Sequence, residues 1–231
     1  AGGWFLNVDS DELLHLDGRS IAQEVGSHDA AVRAIRFEPA EYLQTPDSAG
    51  MHFRCLMKPW MQRKVYGDLA PAMKARMGLM GHFHGKSATR AGLRDSIVRQ
   101  HWVETREEGA LSDVVLGRQD GAYLLHFVDQ GFETWCAKIP WRLSTRGFRG
   151  PIRDLLAEVV GRPGAEAGLR DLYDAFFVFD RDRLDRLGEV RARYDLAVDP
   201  DEIVARHIRS HPVCSAFRRL PEKLPDPLHI A

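Results

Sequence analysis

Opposite charges are sorted along this chain, so its fold must either bring the two charge blocks together or present one of them to a partner. Residues 1–50 carry nine acids against three bases. Residues 51–106 carry eleven bases against three acids, a local balance of +8 in a protein of formal net charge −1. A basic run of that size attracts phosphate-bearing or acidic molecules through long-range Coulomb forces. It also arises if the acidic and basic segments pair inside the fold, and the sequence leaves both open.

The 231 residues, 44% apolar and 28% charged, are enough for one large globular domain, read as 1–231 with 151–231 as its helical lobe. The longest wholly apolar runs resemble Ala175 to Phe179, far below the roughly 20 residues of a spanning helix. A soluble chain with no membrane partner is expected. The N-terminus lacks the charged and apolar regions of a signal peptide, and the cysteines Cys55, Cys136 and Cys214 are odd in number and widely spaced. A reducing, cytoplasmic setting follows as an expectation. Of the 32 basic residues, six are lysine, an arginine bias that a GC-rich, for instance bacterial, genome produces and that also suits bidentate anion contacts.

Local patterns give an α+β class. Trp4 to Val8 and Met51 to Met57 read as strands, Glu12-Leu13-Leu14 after Ser10 and Asp11 as a helix start that stops at Gly18, and Ser20 to Val25 as a second short helix. A helix from Asp68 through Met80 and a second over 87–101 enclose a loop, Gly81 to Lys86. Three apolar runs over 113–139, separated by turn signals at Gln119 to Gly121 and Asp129 to Gly131, predict a central antiparallel meander at about 111–141, with Cys136 in its last strand and Pro140 ending it. After Pro151 the pattern is helical to the end, including helices from Asp182 to Tyr194 and from Asp199.

Gly81-His82-Phe83-His84-Gly85-Lys86-Ser87 is the segment richest in chemistry. Its Gly-Lys-Ser ending is not a P-loop, because Met80 stands where that motif needs glycine. Lys86, Ser87, Arg90 and Arg94 are the expected anion-binding set, and His84 and His82 the candidate proton-transfer residues. The two histidines could also ligate a metal, but no acid lies within six positions, so further ligands would have to come from remote sequence. No metal is assigned. His207 and His211 stand i,i+4 with Cys214 nearby, best read as histidines at a helix end.

His84-Gly85-Lys86-Ser87, with the later Gly121-Ala122-Tyr123, resembles the NAD-gripping elements of ADP-ribosyltransferases. That resemblance implies a ribose contact by His84, nicotinamide stacking by Tyr123 and an NAD-like cofactor. Lys86 stands where those enzymes carry a hydroxyl residue.

The leading expectation is an enzyme, a transferase holding a phosphate-bearing small molecule or nucleotide against residues 51–106. One alternative is a nucleic-acid-binding module using helix 87–101. The other is a protein-binding adaptor whose acidic and basic regions pair internally.

Overall fold

The computed structural model describes residues 3–46, 50–129, 131–145 and 147–196. Strands β1 (Trp4–Leu6) and β2 (Glu12–Leu16) lead to helix α1 (Ile21–Gly26). The Ser20 hydroxyl accepts from the Gln23 amide at 3.2 Å while the Gln23 side chain accepts from the Ser20 amide at 2.8 Å, so reciprocal capping starts this short helix. Next come β3 (Ala34–Phe37), β4 (Pro39–Leu43) and β5 (Met51–Cys55), then helices α2 (Pro59–Tyr66) and α3 (Ala70–Met73). Strands β6 (Lys86–Arg90), β7 (Ser96–Val98), β8 (Val103–Thr105), β9 (Gly109–Ala110), β10 (Val114–Leu116) and β11 (Ala122–His126) follow. Helices α4 (Phe132–Ser144), α5 (Pro151–Val160), α6 (Ala165–Phe177) and α7 (Arg181–Glu189) precede the last described strand, β12 (Arg193–Leu196).

Two main sheets result, ordered β1-β6-β3-β10 and β12-β5-β4-β11-β2, with a small third sheet β7-β8-β9. The chain passes from the first main sheet to the second three times: between β1 and β2, and then in two neighbouring ribbons, at Glu38 between β3 and β4 and at 117–121 between β10 and β11. The two crossing ribbons run parallel, β3 with β10 and β4 with β11. Ile35, Phe37, Ala88, Leu116, Ala122 and Leu124 fill the space between the sheets. A second core gathers the helices around Trp135, Ile152, Leu156, Tyr173 and Phe176, and takes Leu43 from β4.

The α+β class holds, with antiparallel pairing common in the sheets, but the meander at 111–141 does not form. Among the described residues β10 pairs only with β3, β11 lies between β2 and β4, and 132–144 is helix α4. Phe132, Trp135 and Ile139 recur at helical spacing and bury one face of α4. That burial outweighs the amide bond lost at Pro140, which sits inside the helix, as does Cys136.

Helix 87–101 is also absent. Lys86–Arg90 is a strand between β1 and β3, and Gly92 at φ 83° and Asp95 at φ 52° take left-handed conformations that an α-helix cannot contain. The helix from Asp68 stops before Met77, itself at φ 54°, and Glu12–Leu16 is a strand where a helix start was expected. Gly81 to Lys86 therefore leads from a helical segment into a strand instead of joining two helices. Of the C-terminal lobe, 151–189 is helical and 193–196 returns to pair with β5, so the helix predicted over Asp182 to Tyr194 is shorter. The element from Asp199 and His207, His211 and Cys214 lie outside the described residues.

Candidate functional site

A row of polar side chains crosses the five-stranded sheet. Arg54 on β5 is the register partner of Glu41 on β4, Glu41 of His126 on β11, and His126 of Glu12 on β2. Register partners share a sheet face, and here all four are buried. Along the same face lie Leu124 in the inter-sheet core and Leu43 in the helical core. The row is thus a polar seam between two apolar cores, where each charge needs a partner.

Each finds one. Arg54 donates to Glu41 Oε2 through Nε at 3.0 Å and Nη2 at 2.8 Å, and its Nη1 donates to the Tyr66 hydroxyl at 3.0 Å. Glu41 also accepts from the amides of Met80, at 2.8 Å, and Gly81. Burial alone would raise the Glu41 carboxyl, but Arg54, His126 and these two amides outweigh it and hold it below the ordinary carboxylate range. Because Glu41 grips the 80–81 backbone, and Arg76 donates to the carbonyls of Met80 and Gly81, the loop before β6 is fixed over the end of the seam.

That loop delivers His82. Its Nε2 lies 2.7 Å from Glu12 Oε1. Glu12 Oε2 accepts from the Asp9 amide at 2.8 Å and pairs with Lys86 Nζ at 3.3 Å. Burial pushes Glu12 upward, yet the bonds from His82 and Asp9 and the Lys86 charge bring it to about 2. The His82 ring centroid is 4.1 Å from that of His101 and 5.1 Å from that of His126. Burial, then the neighbouring His82 and Lys86, push His101 down to about 4. The Nδ1 atoms of both His82 and His126 are buried without a hydrogen-bond partner. One donor atom from each of Glu12, His82 and His126 lies within 4.8 Å of the others.

The expected anion set does not converge. Lys86 is fully buried and already paired, with Asp9 Oδ2 at 3.0 Å and with Glu12. Ser87 points to the other side of β6, where it joins Phe5, Asn7, Thr89, Arg99, His101 and Trp102 around a small groove, and its buried Oγ has no hydrogen-bond partner. Arg90 lies 4.5 Å from the Trp4 ring centroid and donates to the carbonyls of Val32 and Asp29, while Arg94 is exposed in the turn after β6. His84 packs beside Phe83 and Trp102, and burial, with His82 and Arg36 nearby, lowers its pKa. Tyr123 stacks on Tyr194 with centroids 3.8 Å apart, so that face is already occupied.

Sequence reasoning found His82 and Lys86 but missed Glu12, His101 and His126. Strand pairing joins Glu12 to His126 across 114 positions, and no local spacing announces it. The carboxylate near His126 in sequence, Asp129, accepts from the Tyr173 hydroxyl at 2.7 Å.

Acidic and basic segments do meet inside the fold, through Asp9 and Glu12 with Lys86, Glu12 with His82, and Glu41 with Arg54. Among the described residues no helix is long and apolar enough to cross a membrane. No protein-family model, curated protein or solved structure matches this chain, and the functional reading rests on the site itself.

Proposed function

We propose that this chain is an enzyme that moves a proton to or from a polar ligand seated in the groove beside Ser87 and Trp102, with His101 as the general base. The carrying observation is the placement of His101. Its Nδ1 lies 3.2 Å from the Gly85 carbonyl, an acceptor, so Nδ1 carries the hydrogen and Nε2 keeps a lone pair. The same ring lines the groove and packs against His82, behind which stands Glu12.

In the reaction, Nε2 would take the proton from a ligand hydroxyl, for transfer, or from water, for hydrolysis. That oxygen keeps the bonding electrons and attacks the phosphorus or carbonyl carbon of an ester. The bond to the ester's leaving oxygen breaks with its electrons on that oxygen, and the proton on Nε2 passes to it. The buried Ser87 hydroxyl offers the ligand a hydrogen bond that the protein does not supply. Arg99 lines the groove but its charge is already met by Glu104, Nε to Oε1 at 2.9 Å, so a phosphate-bearing substrate and a transferase stay the leading class and type only on the strength of the basic 51–106 segment. Lys86 enters only indirectly, by holding Glu12.

A panel of phosphate esters, carboxylate esters and nucleotides, assayed with the native protein and His101→Gln, tests this. Turnover in one class that falls by roughly 10²–10⁴-fold in the variant is expected. Turnover that is indifferent to His101→Gln would overturn the assignment.

A further inference from the structure

We infer that Glu12, His82 and His126 bind one divalent transition-metal ion and leave it an open coordination position. The inference uses the same cluster as the proposed reaction but does not require it, since holding an ion needs only donors and geometry.

The donor set is brought together by tertiary structure. Glu12 opens β2 and His126 closes β11, opposite each other at the end of one antiparallel ladder. His82 arrives from the loop that Glu41 and Arg76 hold in place. Donors around a tetrahedral ion with bonds of about 2.0–2.2 Å lie about 3.4 Å apart. The three donors here lie within 4.8 Å of one another, so small side-chain rotations close the shell.

A hydrogen-bonded His82–Glu12 pair with no ion would explain the 2.7 Å contact but not the rest. It leaves His82 Nδ1 and His126 Nδ1 buried and without a partner, although buried polar atoms in native proteins are nearly always paired. His126 is only 7% exposed, so its Nδ1 needs a partner enclosed with it, a trapped water or an ion. The clustering of a carboxylate oxygen and two imidazole nitrogens within 4.8 Å of one another favours a cation that accepts the lone pairs.

Surrounding groups are arranged as an outer shell. Glu12 Oε2 is taken by the Asp9 amide and Lys86, so Oε1, which lies 2.7 Å from His82 Nε2 in the hydrogen-bonded pair, is the oxygen that would turn to the metal together with that imidazole. Asp11 Oδ2 lies 3.7 Å from His126 Nε2, beyond hydrogen-bond distance, on the side where a small rotation would let it orient a ligating imidazole and leave Nδ1 to the metal. Two imidazoles and one carboxylate favour zinc, iron, cobalt, nickel or manganese over magnesium or calcium. Three protein donors leave a position for water or substrate, as in catalytic and not closed structural sites.

The test uses the full chain, stripped with chelator and titrated with Zn²⁺ by calorimetry and with Co²⁺ by visible absorption. One ion per chain and intense d–d bands are expected at this site. Glu12→Gln and His82→Asn should each weaken binding by at least about tenfold and abolish the cobalt bands, while His28→Asn should keep both. Circular dichroism accompanies every variant. If Glu12→Gln fails to fold because Lys86 loses a partner, His82→Asn on its loop still decides the matter. No binding by the native chain, or binding unchanged in His82→Asn, would overturn the inference. Turnover that depends on His101 in a chain that binds no zinc would overturn this inference alone. Zinc binding lost in His82→Asn, in a chain without turnover that depends on His101, would support the metal site and overturn the reaction alone.

Discussion

Arg54 and Glu41 form an ion pair with both side chains wholly buried, Nη2 to Oε2 at 2.8 Å. Two things follow from its position. Arg54 ties the sheet to the helical core through the Phe176 carbonyl and the Tyr66 hydroxyl, and Glu41 ties it to the His82 loop through two amides. The pair therefore fixes the site relative to both cores.

Arg54→Met should cost about 3–5 kcal/mol, because it strands the Glu41 charge in a dry interior. Replacing both residues, as Arg54→Met with Glu41→Leu, often restores stability in buried pairs. Here it should not do so fully, because the Met80 and Gly81 amides lose their acceptor, at about 1–3 kcal/mol for each buried unsatisfied group. Urea denaturation of the two single variants and the double variant measures the difference.

Gly81 and Gly85 set the path of the loop for different reasons. A Cβ at Gly81 would sit 2.6 Å from His126 Cε1 and 2.7 Å from Glu41 Oε1, inside the seam. At Gly85, where φ is +68°, a Cβ would meet the Phe37 carbonyl oxygen at 1.9 Å. Gly85→Ala should thus cost at least about 1–3 kcal/mol from its backbone conformation alone. Gly81→Ala should disturb the site more than the fold, seen as shifted imidazole resonances of His126 in NMR spectra with a smaller change in melting temperature.

How much of this was legible depended on the range of the signal. The Ser20–Gln23 capping box and Pro151 at a helix start act within a few residues, and α1 and α5 begin where those residues predict. Alternation over Met51 to Met57 likewise gave β5. Around Ala122 to Ile139 the local signals conflicted. Proline argued against a helix at 140, while the 132, 135, 139 spacing argued for one, and packing against Tyr173 and Phe177 decided it. The charge asymmetry left open whether residues 1–50 and 51–106 pair with each other or face a partner; in the fold Asp9 and Glu12 meet Lys86, and Glu41 meets Arg54. The joining of Glu12 to His126 and of Glu41 to Arg54 depends on strand order, which no spacing in one sequence encodes.

Glu24 on α1 gives a pH dependence away from the site. Burial would raise its carboxyl, but the bonds from Arg19 and His28 outweigh that and leave it below the ordinary value of 4.5. A carboxylate depressed in the folded state adds stability above its unfolded pKa and loses it as pH falls through the folded one. Glu24→Gln should therefore destabilise the chain at pH 7, and the gap to the native protein should narrow steadily below pH 4.5. Melting temperatures of both proteins between neutral and acidic pH give the two curves, and a constant gap would contradict the assignment.

Lys86 is the sharpest case of a residue whose role the structure recasts. Read from sequence it is an anion-binding lysine, yet its ammonium is fully buried against Asp9 at 3.0 Å, Glu12 at 3.3 Å and the Gln100 carbonyl at 3.2 Å. Lys86→Met keeps the chain length of the stem, so packing changes little and the electrostatic term dominates. The variant should lose about 3–5 kcal/mol, as expected when one partner of a buried ion pair is removed. Adding Asp9→Asn should return part of that loss, because one stranded carboxylate is then gone, and the coupling between the two positions should be about 0.5–3 kcal/mol in a double-mutant cycle. If the two changes were simply additive in chemical denaturation, Lys86 would be held by packing and not by its carboxylates. An anion-binding role would then regain its footing.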